Sequence, residues 1–344
     1  MNPLLSIIIP TYNHNHRLPA LLENIVWQKF RDFEVILVDD CSDEPCDALV
    51  EAWQNKGLEL RLFRNPCRQY TKDTRLNGVE QARGDLIMFV DADDLLAGNT
   101  ALDYHVAMQR ETEAELLHFQ VASYKAGKVE HKQFEWAKPL GDHLTGSQIF
   151  EKYVQENLRS HLIYGKIATR GLWQKCLEPA RASSVRRGKE DQLLCSLLFF
   201  HAQSYVGSDR VGYTRIWRDK SPERALGRTA GLYAMLTELL PYLRSQGATE
   251  AVIRAFEKRL LDFLRHYLGM TAERAASLYG YAIPDTFIHE ITQHCSVETF
   301  TKAALAGFSL QQQRTRELQK ENNLLKKLCI AVKETNEEIS CAAV

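Results

Sequence analysis

The chain has 344 residues, 45% of them hydrophobic, with 43 Lys and Arg against 44 Asp and Glu and a formal net charge of -1. This balance argues against a global basic field for nucleic acid and against an acidic disordered chain, and the length allows one large domain with a smaller one behind it. The 8 cysteines are scattered without a C-x-x-C pair, which argues against zinc and a disulfide framework and for thiols in a reducing cytoplasm.

The opening, MNPLLSIIIPTYN, carries an apolar run without a basic n-region and reads as a strand rather than a signal peptide. No run approaches the ~20 apolar residues of a membrane span, so the expected location is cytoplasmic, with attachment to the inner face of the membrane as the variant. Leu5–Ile9 is apolar but for Ser6, as expected of a strand buried on both faces. After the turn PTYNHNH, Leu18, Leu21, Leu22, Ile25 and Val26 recur at helical spacing. Glu34–Val38 predicts a second strand that runs into DDCSDEP, followed by a helix over 46–55. Leu58–Phe63 predicts a third strand, then a helix over 71–82 stopped by Gly84, and Leu86–Val90 a fourth strand that delivers the chain to Asp91. Alternating strands and helices with short connections predict a parallel sheet wrapped by helices, with ligands beyond the carboxyl ends of the strands. Those ends carry Thr11, Asn13, Asp39, Asp40, Asp91 and Asp93.

From 101 to 217 the pattern is mixed. AELLHFQVASY reads as a strand, GSQIFEKYVQENL as an amphipathic helix capped by Ser147, and KEDQLLCSLLFFHA as a strongly apolar helix with Glu190 and Asp191 near its start; VGYTRIW reads as a last strand. Beyond Ser221, the stripes Leu232, Met235, Leu236, Leu239, Leu240, Leu243 and Val252, Ile253, Phe256, Leu260, Leu261, Leu264 predict a helical subdomain over 222–307. The segment 308–344 predicts a long terminal helix in which Leu318, Leu325 and Val332 recur every seventh residue, a stripe suited to homo-oligomer formation.

The chemistry concentrates in MFVDADDLL, Met88–Leu96, where three carboxylates end an apolar segment. Their repulsion requires a positive group nearby. Asp91 and Asp93, at alternate positions, can share a divalent cation, for which hard oxygen ligands favour Mg²⁺ or Mn²⁺; alone, the triplet is equally a solvated acidic turn. Asp94 reads as a cap for a helix beginning LLAG. Asp39 and Asp40 can accept a base N–H or a ribose hydroxyl, or cap the next helix. Glu190 and Asp191 can supply a general base, or are acids favoured by a helix N-terminus. His14 and His16 follow a turn and read as a solvated loop.

Taken together, SIIIPTYN, VILVDDCSDE, LNGVEQARGDLIMFVDADD and RRGKEDQLL, in this order, resemble the family-2 glycosyltransferases. The resemblance implies an α/β GT-A fold over 1–221, a Rossmann-like mixed, mostly parallel sheet with flanking helices, ahead of the helical C-terminal region. It implies an inverting enzyme that uses Mn²⁺ or Mg²⁺ and a nucleotide-sugar donor, a UDP-sugar first among them, with a saccharide, lipid-linked or glycoprotein acceptor and no nucleic acid. By position, Pro10, Thr11, Asn13, Asp39, Asp40, Asn77 and Asp91 look like nucleotide-sugar contacts. Asp93 looks like the metal ligand, with Asp91 beside it. Glu190 and Asp191 match the family's Glu-Asp pair, whose Asp is the general base.

The chain departs from the family's pattern in places. Cys41 stands where the family often has Gly, and Arg75, in KDTRLNG, looks like a further nucleotide-sugar contact that only approximates the position of a family arginine. RIWRDKS offers Arg215, Arg218 and Ser221 as diphosphate contacts, and YGKIATRGLW points to Lys166 and Trp173. Two alternatives stand beside this reading. A sugar-nucleotide nucleotidyltransferase would need a Gly-rich basic loop that PTYNHNHRL lacks, and a non-catalytic assembly protein would not need Asp93 and Asp191.

Overall fold

A computed structural model describes residues 2–125, 128–130, 137–156, 158–186, 188–216, 228 and 231–279. The terminal helix expected over 308–344, its heptads and its self-association lie outside these residues, as do Arg218 and Ser221.

The chain begins β1 (Leu5–Thr11), α1 (Leu18–Val26), β2 (Phe33–Asp39), α2 (Asp47–Gln54), β3 (Leu60–Arg64), α3 (Tyr70–Gln81) and β4 (Leu86–Phe89). It continues with β5 (Leu95–Leu96), α4 (Ala101–Thr112), β6 (Leu116–Lys125), β7 (Lys128–Glu130), β8 (His143–Thr145) and α5 (Ser147–Gln155). Then come β9 (Lys166–Thr169), α6 (Arg170–Ala182), α7 (Glu190–His201) and β10 (Ser204–Ile216). The sheet order is β3-β2-β1-β4-β9-β6-β10-β5, with β7 on β6 and β8 on β10. The β1, β2, β3 and β4 pairings are parallel, and β9 enters antiparallel between β4 and β6. The sheet is mixed, as expected, and the parallel part brings the ends of β1, β2 and β4 to one edge.

Strand alternation divides the core into two layers. Ile7, Ile9, Val35 and Leu37 face α1 and α2, whereas Ile8, Ile36 and Val38 face α3 and the layer built from α5, α6 and α7. Gly78 lets α3 settle on the sheet: a Cβ there would lie 2.4 Å from Ile8 Cγ2 and would push the helix, with Arg75 and Asn77, away from β1. The stripe from Leu232 to Leu264 continues this second layer, with Met235, Leu243, Phe256 and Leu260 fully buried. The described residues up to Thr271 belong to one compact unit. Among the described residues no helix is long and apolar enough to cross a membrane, and Cys41, Cys46, Cys67, Cys176 and Cys195 are free thiols.

Local details differ from the sequence expectation. Ser147 does not cap α5, whose N-cap is Gly146. Trp173 is core, edge-on to Phe89. Lys166 is buried, its Nζ donating to the carbonyls of Ser160 and Leu162 at 2.7 Å. Neither is placed to meet a sugar.

Candidate active site

Three turns meet at the sheet edge. The turn after β1 is tied to the turn after β2 by Asn13, whose Nδ2 donates to Asp43 Oδ2 at 2.8 Å and whose Oδ1 accepts from Asp43 N at 2.9 Å. Asn13 and Cys41 both occupy the left-handed region, at φ 57° and 63°. Cys41 therefore fills, at some steric cost, a position suited to glycine. Pro10 lies within β1 opposite Val38, and Thr11 opposite Asp39. Thr11 Oγ1 is buried without a hydrogen-bond partner. Asp39 accepts from Ser42 N and Oγ through Oδ1, while Arg64 Nη1 stands 3.4 Å from its Oδ2.

Asp40 has another task. Its carboxylate accepts from Asn65 Nδ2 at 2.8 Å, Gln69 N at 2.7 Å and Tyr70 N at 2.8 Å. It caps the start of α3 from outside the helix, satisfying N–H groups that lack intrahelical partners. Asn77 is also engaged, between Asn65, Gln69 and Arg181.

The centre is Arg75 on α3, 2% exposed. Its Nη2 donates to Asp91 Oδ1 at 2.7 Å, and its Nη1 pairs with Asp191 Oδ1. Burial opposes the charge on Arg75, but Asp191 and Asp91 outweigh it and raise its pKa. Burial raises the Asp191 carboxyl above the usual range; Arg75 opposes the shift and Asp91 adds to it. Glu190 is raised by burial and by Asp191, and its Oε2 is buried without a hydrogen-bond partner.

The repulsion within DADD is thus met in three ways. Arg75 takes Asp91, Arg17 stands 3.2 Å from Asp93, and Asp94 withdraws into the interior. Asp94 caps no helix, because Leu95–Leu96 forms a short strand against β10. Instead it accepts from Tyr213 Oη and Ile216 N, and burial, then Asp91, push its pKa up to about 7.

Asp91 and Asp93 remain at the mouth, 27% and 28% exposed at the side chain. Among the described residues no group of three or more His, Cys, Asp or Glu is arranged as a metal cage. One or two carboxylates completed by phosphate oxygens are, however, the usual donor set for Mg²⁺, so the pair fits an ion that arrives with a diphosphate.

Carboxylates at parallel strand ends thus face a second carboxylate pair at a helix start, with the buried Arg75 between the two. Residues 6–170 match the model for Glycosyl transferase family 2. The chain carries a family-2 glycosyltransferase domain of the GT-A fold. It is similar to an uncharacterized glycosyltransferase of Haemophilus influenzae, 41% identical over 91 residues, or 26% of this chain and 30% of the relative. It is also similar to a GalNAc(5)-diNAcBac-PP-undecaprenol beta-1,3-glucosyltransferase of Campylobacter jejuni, 28% identical over 192 residues, or 50% and 59% of the two chains. The chain thus spans less than two thirds of either relative's length. The crystal structure of Staphylococcus aureus TarS 1–349 with UDP-GlcNAc shares the fold, with a TM-score of 0.55 and 21% identity over 77% of this chain and 74% of that one.

The structure brings Asp91, from the strand-end residues, and Asp191, from the Glu-Asp pair, together on Arg75. The sequence did not reveal that Arg75 joins them, suggested a helix cap for Asp94, and did not single out Arg17, Arg64 or Tyr213. The only sequence signal for these was the cluster of like charges, which demanded a cation without saying which.

Proposed function

We propose that the chain transfers a sugar from a nucleotide-sugar, a UDP-sugar in the first instance, to an acceptor hydroxyl, with inversion at the anomeric carbon. The observation that carries this reading is the Arg75 bridge, which sets the donor-side Asp91 and the acceptor-side Asp191 in one site. Proteins of similar fold support it: TarS forms a complex with UDP-GlcNAc, and a mannosyltransferase of Pyrobaculum calidifontis one with GDP-Man and Mn²⁺. The Campylobacter relative's name describes a lipid-linked diphosphate acceptor, which makes a saccharide or lipid-linked acceptor the first choice here.

In this mechanism Thr11 and Asp39 face the base and ribose, and the unpartnered Thr11 Oγ1 is the buried group a nucleotide would satisfy. Asp93 and Asp91 would hold Mn²⁺ or Mg²⁺, which neutralises charge on the departing diphosphate. Asp191 Oδ takes the proton of the acceptor hydroxyl as its oxygen bonds to the anomeric carbon; the bond to the diphosphate oxygen breaks on the opposite face, which inverts the centre. Glu190 lines the same side as Asp191. Arg75 orients Asp191 and offsets its repulsion with Asp91.

Asp191→Asn tests the reading. Nucleotide binding should persist while transfer from UDP-sugars falls by roughly 10²–10⁴-fold, the contribution of a positioned base. Near-parental transfer would reject the role.

A further inference from the structure

We infer that Asp94 and Tyr213, which lie outside the direct ligand contacts proposed above, are positioning residues that set the carboxylate turn of the donor site from the far strand β10. The inference rests on the functional reading just given.

The geometry is a closed set of hydrogen bonds. Tyr213 Oη donates to Asp94 Oδ2 at 2.9 Å and accepts from Asp91 N at 3.1 Å. Asp94 Oδ1 accepts from Ile216 N at 2.8 Å, and Asp94 N donates to Asp91 O at 3.0 Å. Asp91 is thus held at its main chain by Tyr213 and at its side chain by Arg75. Tyr213 cannot drift, because its ring stacks on Tyr164 with centroids 4.6 Å apart and planes at 18°. Asp94, Tyr213 and Tyr164 are all buried.

This arrangement is costly as packing alone. A carboxyl group taken out of water beside Asp91 gains less than an apolar side chain of similar size would. What it provides is direction. A strand 122 residues further along the chain fixes the main chain from which Asp91 and Asp93 project. Ligands of a divalent ion must be placed closely, since the ion tolerates little departure from its preferred geometry. Val90 N still donates to Ile8 O at 3.0 Å, but from Asp91 to Asp94 the turn has no strand pairing that could do this, because β4 ends before it and β5 begins after it.

Titration calorimetry of the folded full chain with UDP, with and without Mn²⁺, tests the inference. In Tyr213→Phe the ring stack remains and the bridge is lost. The Mn²⁺-dependent gain in UDP affinity should fall about tenfold, as for loss of a hydrogen bond to a charged group, while metal-free UDP affinity stays at the parental value. Asp94→Asn keeps one acceptor oxygen and should fall between parent and Tyr213→Phe. Combined with Tyr213→Phe it should add little, because both changes break one network. A purely structural role would lower the melting temperature and leave the Mn²⁺-dependent gain intact, and that result in folded Tyr213→Phe would overturn the inference. If the parent itself shows no Mn²⁺-dependent UDP affinity, the metal-assisted reading falls, and the inference falls with it.

Discussion

Replacing Arg75 with Ala removes the guanidinium that bridges Asp91 and Asp191. Arg75 is 2% exposed, while the two carboxylates are 27% and 25% exposed at the side chain. Breaking a buried ion pair by deleting one partner costs about 3–5 kcal/mol, and the partial exposure of the carboxylates puts this case near about 3 kcal/mol. For a domain of this size that is about 6–12 °C in melting temperature. The effect on catalysis has a defined sign. Burial already raises the Asp191 carboxyl, and Arg75 opposes the rise most strongly, with a smaller opposing pull from Lys166. Without Arg75 the carboxyl titrates at still higher pH, so the acidic limb of the kcat profile moves upward and less base is ionised at neutral pH. Arg75→Lys should recover only part of both losses, because an ammonium lacks the fork that reaches two carboxylates at once. Differential scanning calorimetry and a pH series of UDP-sugar turnover measure the two effects. A melting temperature within about 1 °C of the parent, with an unmoved acidic limb in Arg75→Ala, would refute the bridge.

Other outcomes follow from the same site. Asp93→Ala should abolish Mn²⁺-stimulated nucleotide binding in calorimetry while leaving metal-free binding measurable. Asp39→Asn should weaken nucleotide binding with little effect on unfolding, whereas Asp40→Asn should cost about 1 kcal/mol of stability through the lost α3 cap and alter nucleotide binding less. Thermal melts and nucleotide titrations on both variants separate the two roles. Lys189 is buried, and burial, then Arg228, lower its pKa to about 7 against an opposing pull from Glu190. Between pH 7 and 10.5 the unfolded chain therefore binds more protons at this lysine than the folded one, and its contribution to stability rises with pH across that window. In Lys189→Met this increment should vanish from a series of denaturant melts over the same range.

Much of the architecture was legible in the chain order. The largely apolar runs Leu5–Ile9 and Leu86–Val90 marked strands buried on both faces, and polar residues at their ends marked the edge where a ligand belongs. The first four strands and the helices between them lie within a few residues of their expected positions. These readings succeed because hydrophobic periodicity is a local property that each segment carries on its own. The roles of individual polar residues were not local. Asp39 and Asp40 are neighbours of the same type, yet one lies beside Ser42 and Arg64 while the other holds the first N–H groups of α3. Asp94 looked like a helix cap and became the partner of a tyrosine on the far side of the sheet. Arg75 and Asp191 meet across 116 residues of sequence. Which charge is neutralised, by whom and at what depth depends on which segments pack together, because Coulomb and hydrogen-bond energies act over a few ångströms of space and are indifferent to distance along the chain.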